Sequence, residues 1–284
     1  MKINIGGINI EIVGEIYDYF KYRLHEYIVE DSVECEIKVV CKECNDIKIP
    51  EAEVVQKNSF RIFAKSEKNF YYYDLLNGDV CSALIKADFS WTDIECRIYD
   101  VEDMGGASLN IRQFNMLGLV MKYIMIHHGG LMIHSSSLSY KNSGVIFSAD
   151  SGTGKSTHTR LWRKAFDDVE IINDDMPVVK YIGDKWYLCG SPWSGKTEIN
   201  VNKKVPLKGI VFLERGDVNT IEKIYAPDSV FRLMKQTLIP PGKDLTSVAM
   251  ANISKLLSTV QVYRLKCTIS EEAPKVVARE LGLL

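Results

Sequence analysis

The chain has 284 residues, 46 % apolar and 25 % charged, and its 35 basic against 37 acidic side chains leave a formal net charge of −2. That length suffices for two modest domains or one large one. The charge offers no electrostatic basis for a nucleic-acid partner, and no apolar run approaches the length that crosses a membrane, so neither partner is expected.

Ile3, Ile5, Ile8, Ile10 and Ile12 alternate with polar residues around Gly6-Gly7, the pattern of a hairpin over residues 1–14 with a two-residue turn. A strand at that point leaves no signal pattern, and a cytoplasmic location is therefore expected. Residues 15–29 predict a helix, with Ile16, Phe20, Leu24 and Ile28 on one stripe flanked by Tyr19 and Tyr27. Short alternating segments come next at Cys35/Ile37/Val39, Phe60/Ile62/Ala64, Tyr71-Tyr72-Tyr73 and Ile94/Cys96/Ile98, with Asn77-Gly78-Asp79 as a turn. The Tyr and Phe cluster reads either as a peptide-docking surface or as the packed face of a sheet. Seven scattered cysteines, an odd number, point to reduced thiols, and Cys41 and Cys44 form a lone CxxC without the second pair a structural zinc site requires. Met104-Gly105-Gly106-Ala107-Ser108 interrupts the pattern and sets the expected boundary between a strand-rich α+β domain, 1–105, and a second domain, 106–284.

A long helix is predicted from Leu109 to Ile126, burying Phe114, Leu117, Val120, Met121 and Ile124. Leu131 to Leu138 reads as one strand, which Lys141-Asn142-Ser143-Gly144 turns back into the apolar run Val145-Ile146-Phe147. That run leads into Ala149-Asp150-Ser151-Gly152-Thr153-Gly154-Lys155-Ser156-Thr157, and then into helical periodicity at Leu161, Trp162, Ala165 and Phe166. The hairpin places His134 on the strand beside this glycine-bearing stretch. A strand, a glycine turn and a helix start, in that order, make a phosphate cradle. The glycines let the backbone approach an anion, and the helix's first turn offers unpaired N–H groups and the positive end of its dipole. Asp150, Ser151, Gly152, Thr153, Gly154, Lys155, Ser156 and Thr157 are therefore the candidate nucleotide-binding residues, Lys155 reaching the β- and γ-phosphates and Ser156 holding a magnesium ion. Ala149 stands where the strict pattern has its first glycine, and the competing reading is an ordinary glycine-rich turn.

Ile171-Ile172-Asn173-Asp174-Asp175 is an apolar run ending in two carboxylates, a feature nucleotide kinases need near the metal and the attacking hydroxyl; the bland alternative is a solvated turn. Met176–Lys180 and Lys185–Cys189 predict strands around Gly183-Asp184, and Lys208–Glu214 a buried strand. Between them, Gly190 to Lys196 is a loop of small residues in which Trp193 reads equally as a substrate lip or a core anchor. Helices are predicted over Asp228–Leu238 and Leu245–Leu257, split by Pro240-Pro241-Gly242, then a strand over Val260–Cys267 and a closing helix over Glu271–Leu281. Lys196 and Lys243 are candidate transition-state cations or plain surface lysines.

Three pieces in order resemble a known family. Residues 149–156 are similar to the Gly-Asp-Ser-Gly-x-Gly-Lys-Ser loop of HPr kinase/phosphorylase, a bacterial protein-serine kinase. Asn173-Asp174-Asp175 is similar to its Ala-Asp-Asp, and Ile133-His134-Ser135 lies where that family and the related phosphoenolpyruvate carboxykinases carry a histidine. The resemblance covers about residues 125–270. It points to a divergent branch that includes the kinases acting on lasso-peptide precursors, since the N-terminal region is unlike the family's and its Pro-Gly-Arg-Asn is answered only by Pro241-Gly242-Lys243-Asp244.

The resemblance implies an α/β fold: a phosphoenolpyruvate-carboxykinase-like P-loop core with a mixed β-sheet, preceded by a smaller strand-rich α+β domain. It also implies a kinase using ATP and Mg2+, or Mn2+ in its place, to phosphorylate a serine or threonine hydroxyl of a peptide or small protein, and leaves a homo-oligomer open. The catalytic residues implied are Asp174, as the base accepting the hydroxyl proton, Lys155, and His134, which either orients Asp174 or ligates the metal. The metal ligands implied are Ser156 and, by the carboxykinase pattern, Asp175. A satisfied strand histidine is the competing reading of His134. A small-molecule kinase of the same fold and a nucleotide-binding regulator without turnover are the alternatives; the second has no need of a catalytic base.

Overall fold

The computed structural model describes residues 1–58, 60–99 and 108–284. The chain divides into two compact units, Met1–His127 with Pro240–Thr246, and His128–Ile239 with Ser247–Leu284. The boundary expected at 105/106 lies outside the described residues.

The first unit contains β1 (Lys2–Ile5), β2 (Ile8–Gly14), α1 (Asp18–Leu24), β3 (Ile37–Cys44), β4 (Glu53–Lys57), β5 (Arg61–Lys65), β6 (Asn69–Leu76), β7 (Val80–Asp88), β8 (Asp93–Tyr99) and α2 (Leu109–His127). The strands form one sheet in the order β1-β2-β3-β8-β7-β6-β5-β4. β3 runs parallel to both β2 and β8, and the other pairs are antiparallel. The isoleucine alternation closes the first hairpin as expected: Gly6 and Gly7 both adopt positive φ, 59° and 83°, the mirror-type turn that matches strand twist.

The helix predicted over 15–29 is shorter, Asp18–Leu24 with a single 3-10 turn over His25–Tyr27. The buried Gln113 amide explains its start. Its Nε2 donates to the Glu15 carbonyl at 2.7 Å and its Oε1 accepts the Tyr17 N–H at 3.0 Å, so those backbone groups are already taken. At the other end Ile28 leaves the helix to bridge Ile3 of β1. The aromatic cluster is packed: Tyr73 is buried, and Phe63, Phe70 and Trp91 stack around Tyr123 of α2, with Trp91 and Tyr123 centroids 4.5 Å apart.

The second unit contains β9 (Gly130–Met132), β10 (Ser135–Tyr140), β11 (Ser143–Ser148), α3 (Lys155–Ala165), β12 (Glu170–Asn173), β13 (Val178–Ile182), β14 (Lys185–Cys189), β15 (Lys204–Arg215), β16 (Thr220–Lys223), α4 (Asp228–Gln236), the greater part of α5 (Lys243–Leu257), β17 (Val262–Cys267) and α6 (Glu272–Glu280). Its order is β12-β10-β11-β15-β14-β13-β9, with β17 also on β15 and β16 on β17. The 12-residue β15 joins two halves. Its start pairs antiparallel with β14, and its remainder runs parallel to β11 and β17. The architecture is mixed α/β.

The single strand expected over Leu131–Leu138 is broken at His134. Ile133 bridges Thr237 and the His134 N–H donates to the Gln236 carbonyl at 2.8 Å, so the segment after α4 takes the ladder positions there. β9 therefore pairs with β13, while β10 pairs with β11 and β12. A core of Phe147, Trp162, Val211, Leu265, Val277 and Leu281 seats α3 and α6 on one face of the β10-β11-β15-β17 sheet. No helix among the described residues is long and apolar enough to cross a membrane.

Candidate functional site

β11 ends at Ser148 and α3 begins at Lys155, so residues 149–154 form the turn between them. Ala149 is buried in the core with Trp162, and its methyl group occupies the place of the pattern's first glycine. Gly152 and Gly154 take φ of 76° and 112°, a region that favours glycine. Gly154 caps α3 with no side chain, the first turn carries no acid, and the N–H groups of Lys155, Ser156 and Thr157 make no hydrogen bond back to the loop. Those open amides and the helix dipole suit an anion. The amide of Thr153, by contrast, is spent within the loop on the Asp150 carbonyl at 3.2 Å.

Lys155 folds over this turn, its Nζ donating to the Ala149 carbonyl at 3.0 Å. Burial pushes its pKa down, and the carboxylates of Asp175, Asp150 and Asp174 work against that shift. Asp150 itself is held below the usual carboxylate range by its hydrogen bond and ion pair with Lys235, at 2.8 Å, and by the more distant Lys155. Arg215, at the end of β15, donates to the Gly152 carbonyl at 3.2 Å.

β12 ends at Asn173, and the fully buried Asn173 side chain fixes the turn after it. Its Oδ1 accepts the amides of Asp175 and Met176 at 2.8 and 2.7 Å, and its Nδ2 donates to the Ser191 and Trp193 carbonyls at 2.8 and 3.3 Å. The two aspartates then face different surroundings. Asp174 is 8 % exposed and accepts the Ser136 hydroxyl at 2.6 Å; Ser136 lies 2.9 Å from the Thr159 hydroxyl, which itself reaches the Ser156 carbonyl in the first turn of α3 at 3.2 Å. The side chain of Asp175 is 35 % exposed, and its Oδ1 lies 3.5 Å from His134 Nε2. His134 sits at the bend between β9 and β10, and its carbonyl accepts the Ser148 hydroxyl at the mouth of the glycine turn. The histidine thus stands beside Asp175 rather than Asp174.

Trp193 is buried, so of the two expected roles the structure gives it the core anchor. Lys196 is exposed, and Lys243 belongs to the first unit. Among the described residues, the cations besides Lys155 that touch the glycine turn or its Asp150 are Arg215 and Lys235. Neither carries a local sequence signal, because each is brought in by a strand or helix far along the chain. Ser136 and Thr159 were equally silent: a serine in a Ser-Ser-Ser strand shows its partner only once β10, β12 and α3 are assembled.

Two clefts flank the turn. One, of about 590 Å³, lies toward α4 and is lined by Asp150, Phe212, Glu214, Phe231, Arg232 and Lys235 among others. The second, of about 520 Å³, shares Gly152, Thr153, Leu213, Glu214 and Arg215 with the first and runs along α3 to the residues after β17.

Among the described residues no three His, Cys, Asp or Glu side chains cluster as a ready metal cage. The candidate donors are the Ser156 hydroxyl, which makes no hydrogen bond among the described residues, and the partly exposed Asp175 carboxylate after β12. A pair of hard oxygen ligands suits magnesium or manganese, ions that take their other ligands from phosphate and water.

No protein-family model and no curated protein matches the sequence. Among solved structures the chain is similar to the HPr(Ser) kinase/phosphatase from Coxiella burnetii, at 12 % identity and a TM-score of 0.28, over 52 % of this chain and 95 % of that one.

Proposed function

We propose that this protein is an ATP- and magnesium-dependent phosphotransferase of the HPr-kinase-like kind, with a phosphoenolpyruvate-carboxykinase-like core, acting on a serine or threonine hydroxyl of a peptide or small protein. The observation that carries the reading is the tie between the acid and the anion site: Asp174 is joined through Ser136 and Thr159 to the first turn of α3. A nucleotide-binding turn alone needs no such partner.

In this reading the open amides of α3 and Lys155 hold the phosphates. Ser156 and Asp175 hold the metal, which when bound neutralises charge on the phosphate oxygens. Asp174 takes the proton of the acceptor hydroxyl as that oxygen bonds to the γ-phosphorus; the bond from phosphorus to the β–γ bridging oxygen breaks and ADP departs. Ser136 occupies one carboxylate oxygen of Asp174 and leaves the other for the incoming hydroxyl.

The test is incubation of the full chain with γ-labelled ATP, magnesium and the small proteins encoded beside it. Label in a peptide hydroxyl supports the reading. Label in a metabolite fraction moves the acceptor to a small molecule. Saturable ATP binding without transfer, unchanged by Asp174→Asn, overturns the enzyme in favour of a nucleotide-binding regulator.

A further inference from the structure

Phosphate recognition at the turn leaves the rest of the nucleotide to be placed, and the two clefts offer different seats for it. The strand order β12-β10-β11-β15-β17 sets the direction. Asp174 and Asp175 come directly after β12 on one side of β11, whereas both clefts lie at the C-terminal end of β15 on the other, where ligands of parallel sheets collect, and only the second extends to the residues after β17. A phosphate chain with its terminal group toward the acids points its other end to the β15 side, and the linings decide between the two clefts there.

The lining fits a flat heterocycle. Leu161 of α3 and Ile269 after β17 supply apolar walls, and Ile269 is 84 % exposed on the rim. His158 lines the same cleft, is 3 % exposed, and has its tautomer set by its neighbour. The indole N–H of Trp162 can only donate, and it donates to His158 Nε2 at 3.2 Å. Nε2 therefore carries no proton and Nδ1 does. That Nδ1–H has no hydrogen-bond partner among the described residues. A donor without a protein partner on the lining of a cleft is available to an acceptor arriving with a ligand. The first cleft is different in kind, with Asp228 paired to Arg232 and Asp150 to Lys235.

We infer that the cleft along α3 is the nucleoside subsite: the base lies between Leu161 and Ile269, and His158 Nδ1–H donates to an acceptor on the nucleoside. This rests on the phosphate site proposed above, so its test separates the two. Calorimetry on the full chain with magnesium measures affinity for ATP and for inorganic tripolyphosphate, which has phosphates and no base. The wild type should bind ATP about tenfold tighter or more. Ile269→Asn, on an exposed side chain, should weaken ATP roughly fivefold to tenfold and leave tripolyphosphate unchanged. His158→Phe keeps the ring in the core and removes the donor, and should act the same way; if it does not fold, Ile269→Asn decides alone. Phe231→Asn, in the other cleft, should alter neither ligand. Loss of ATP affinity in Phe231→Asn but not in Ile269→Asn puts the base in the first cleft and overturns the inference. Equal affinity of the wild type for both ligands denies a nucleoside subsite while leaving the phosphate site standing. No binding of either ligand removes the phosphate site and the inference with it.

Discussion

At the scale of single residues, Asp174 and Asp175 are neighbours in the chain with divergent environments, and in the proposed reading they have different tasks. Asp174 is almost buried and fixed by a hydroxyl, while Asp175 opens toward solvent beside His134. Asp174→Asn should leave ATP affinity intact and lower the rate of transfer by on the order of 10²–10⁴, read in single-turnover assays; full activity would remove Asp174 as the base. Lys155→Ala should abolish transfer and weaken ATP binding, measured by the same assay and by titration. Ser136→Ala leaves a buried carboxylate oxygen without its donor and should cost about 1–3 kcal/mol in urea unfolding, with transfer falling as well. The paired acids were legible in the sequence because they stand at the end of an apolar run. Ser136 was not, because its role exists only across three elements.

At the scale of elements, backbone conformation decides more than side chains do. Gly154 caps α3 at φ 112°, and the proposed phosphate site depends on that turn keeping its shape. Gly154→Ala should weaken tripolyphosphate binding through strain of about 1–3 kcal/mol in the turn, seen as a raised dissociation constant. Gly14 makes the same point in the other unit. It ends β2 at φ 93°, and a Cβ there would overlap the Cys41 carbonyl oxygen, a backbone atom that cannot move aside. Gly14→Ala should lower stability by several kcal/mol in denaturant titration. The broken strand at His134 belongs here too: the apolar pattern runs on from Leu131 to Leu138, while the backbone at 133–134 is taken by residues 236 and 237.

For the whole molecule, the expected outcomes belong to each of the two units by itself. ATP at a hundredfold excess over its dissociation constant should raise the stability of the second unit by about 2.7 kcal/mol, seen as slowed amide exchange in β11 and α3 with β5 to β7 unaffected. Acid acts on the first unit through Asp88. Burial pushes its carboxyl up, but hydrogen bonds from Ser90, Asp93 and Thr92 outweigh this and hold it below its ordinary value of 3.8. A lowered folded pKa means that the stabilisation is complete above 3.8 and lost as pH falls through the folded value. Asp88→Ala should therefore destabilise the first unit at pH 7 by about 1–2 kcal/mol, and the gap should close on acidification below 3.8.

The sequence by itself determined what depends on near neighbours. The isoleucine hairpin, the glycine turn between an apolar strand and a helix, and the acids at a strand's end all arise from local periodicity and backbone freedom, which a linear chain displays openly. Only the tertiary structure decided which strand each of these meets. It split one apolar run between two parts of a sheet, gave His134 to Asp175, drew Arg215 and Lys235 to the turn, and tied Asp174 to α3 through two hydroxyls. Those contacts join residues tens of positions apart, and their energy comes from burial and hydrogen-bond satisfaction that no local window contains.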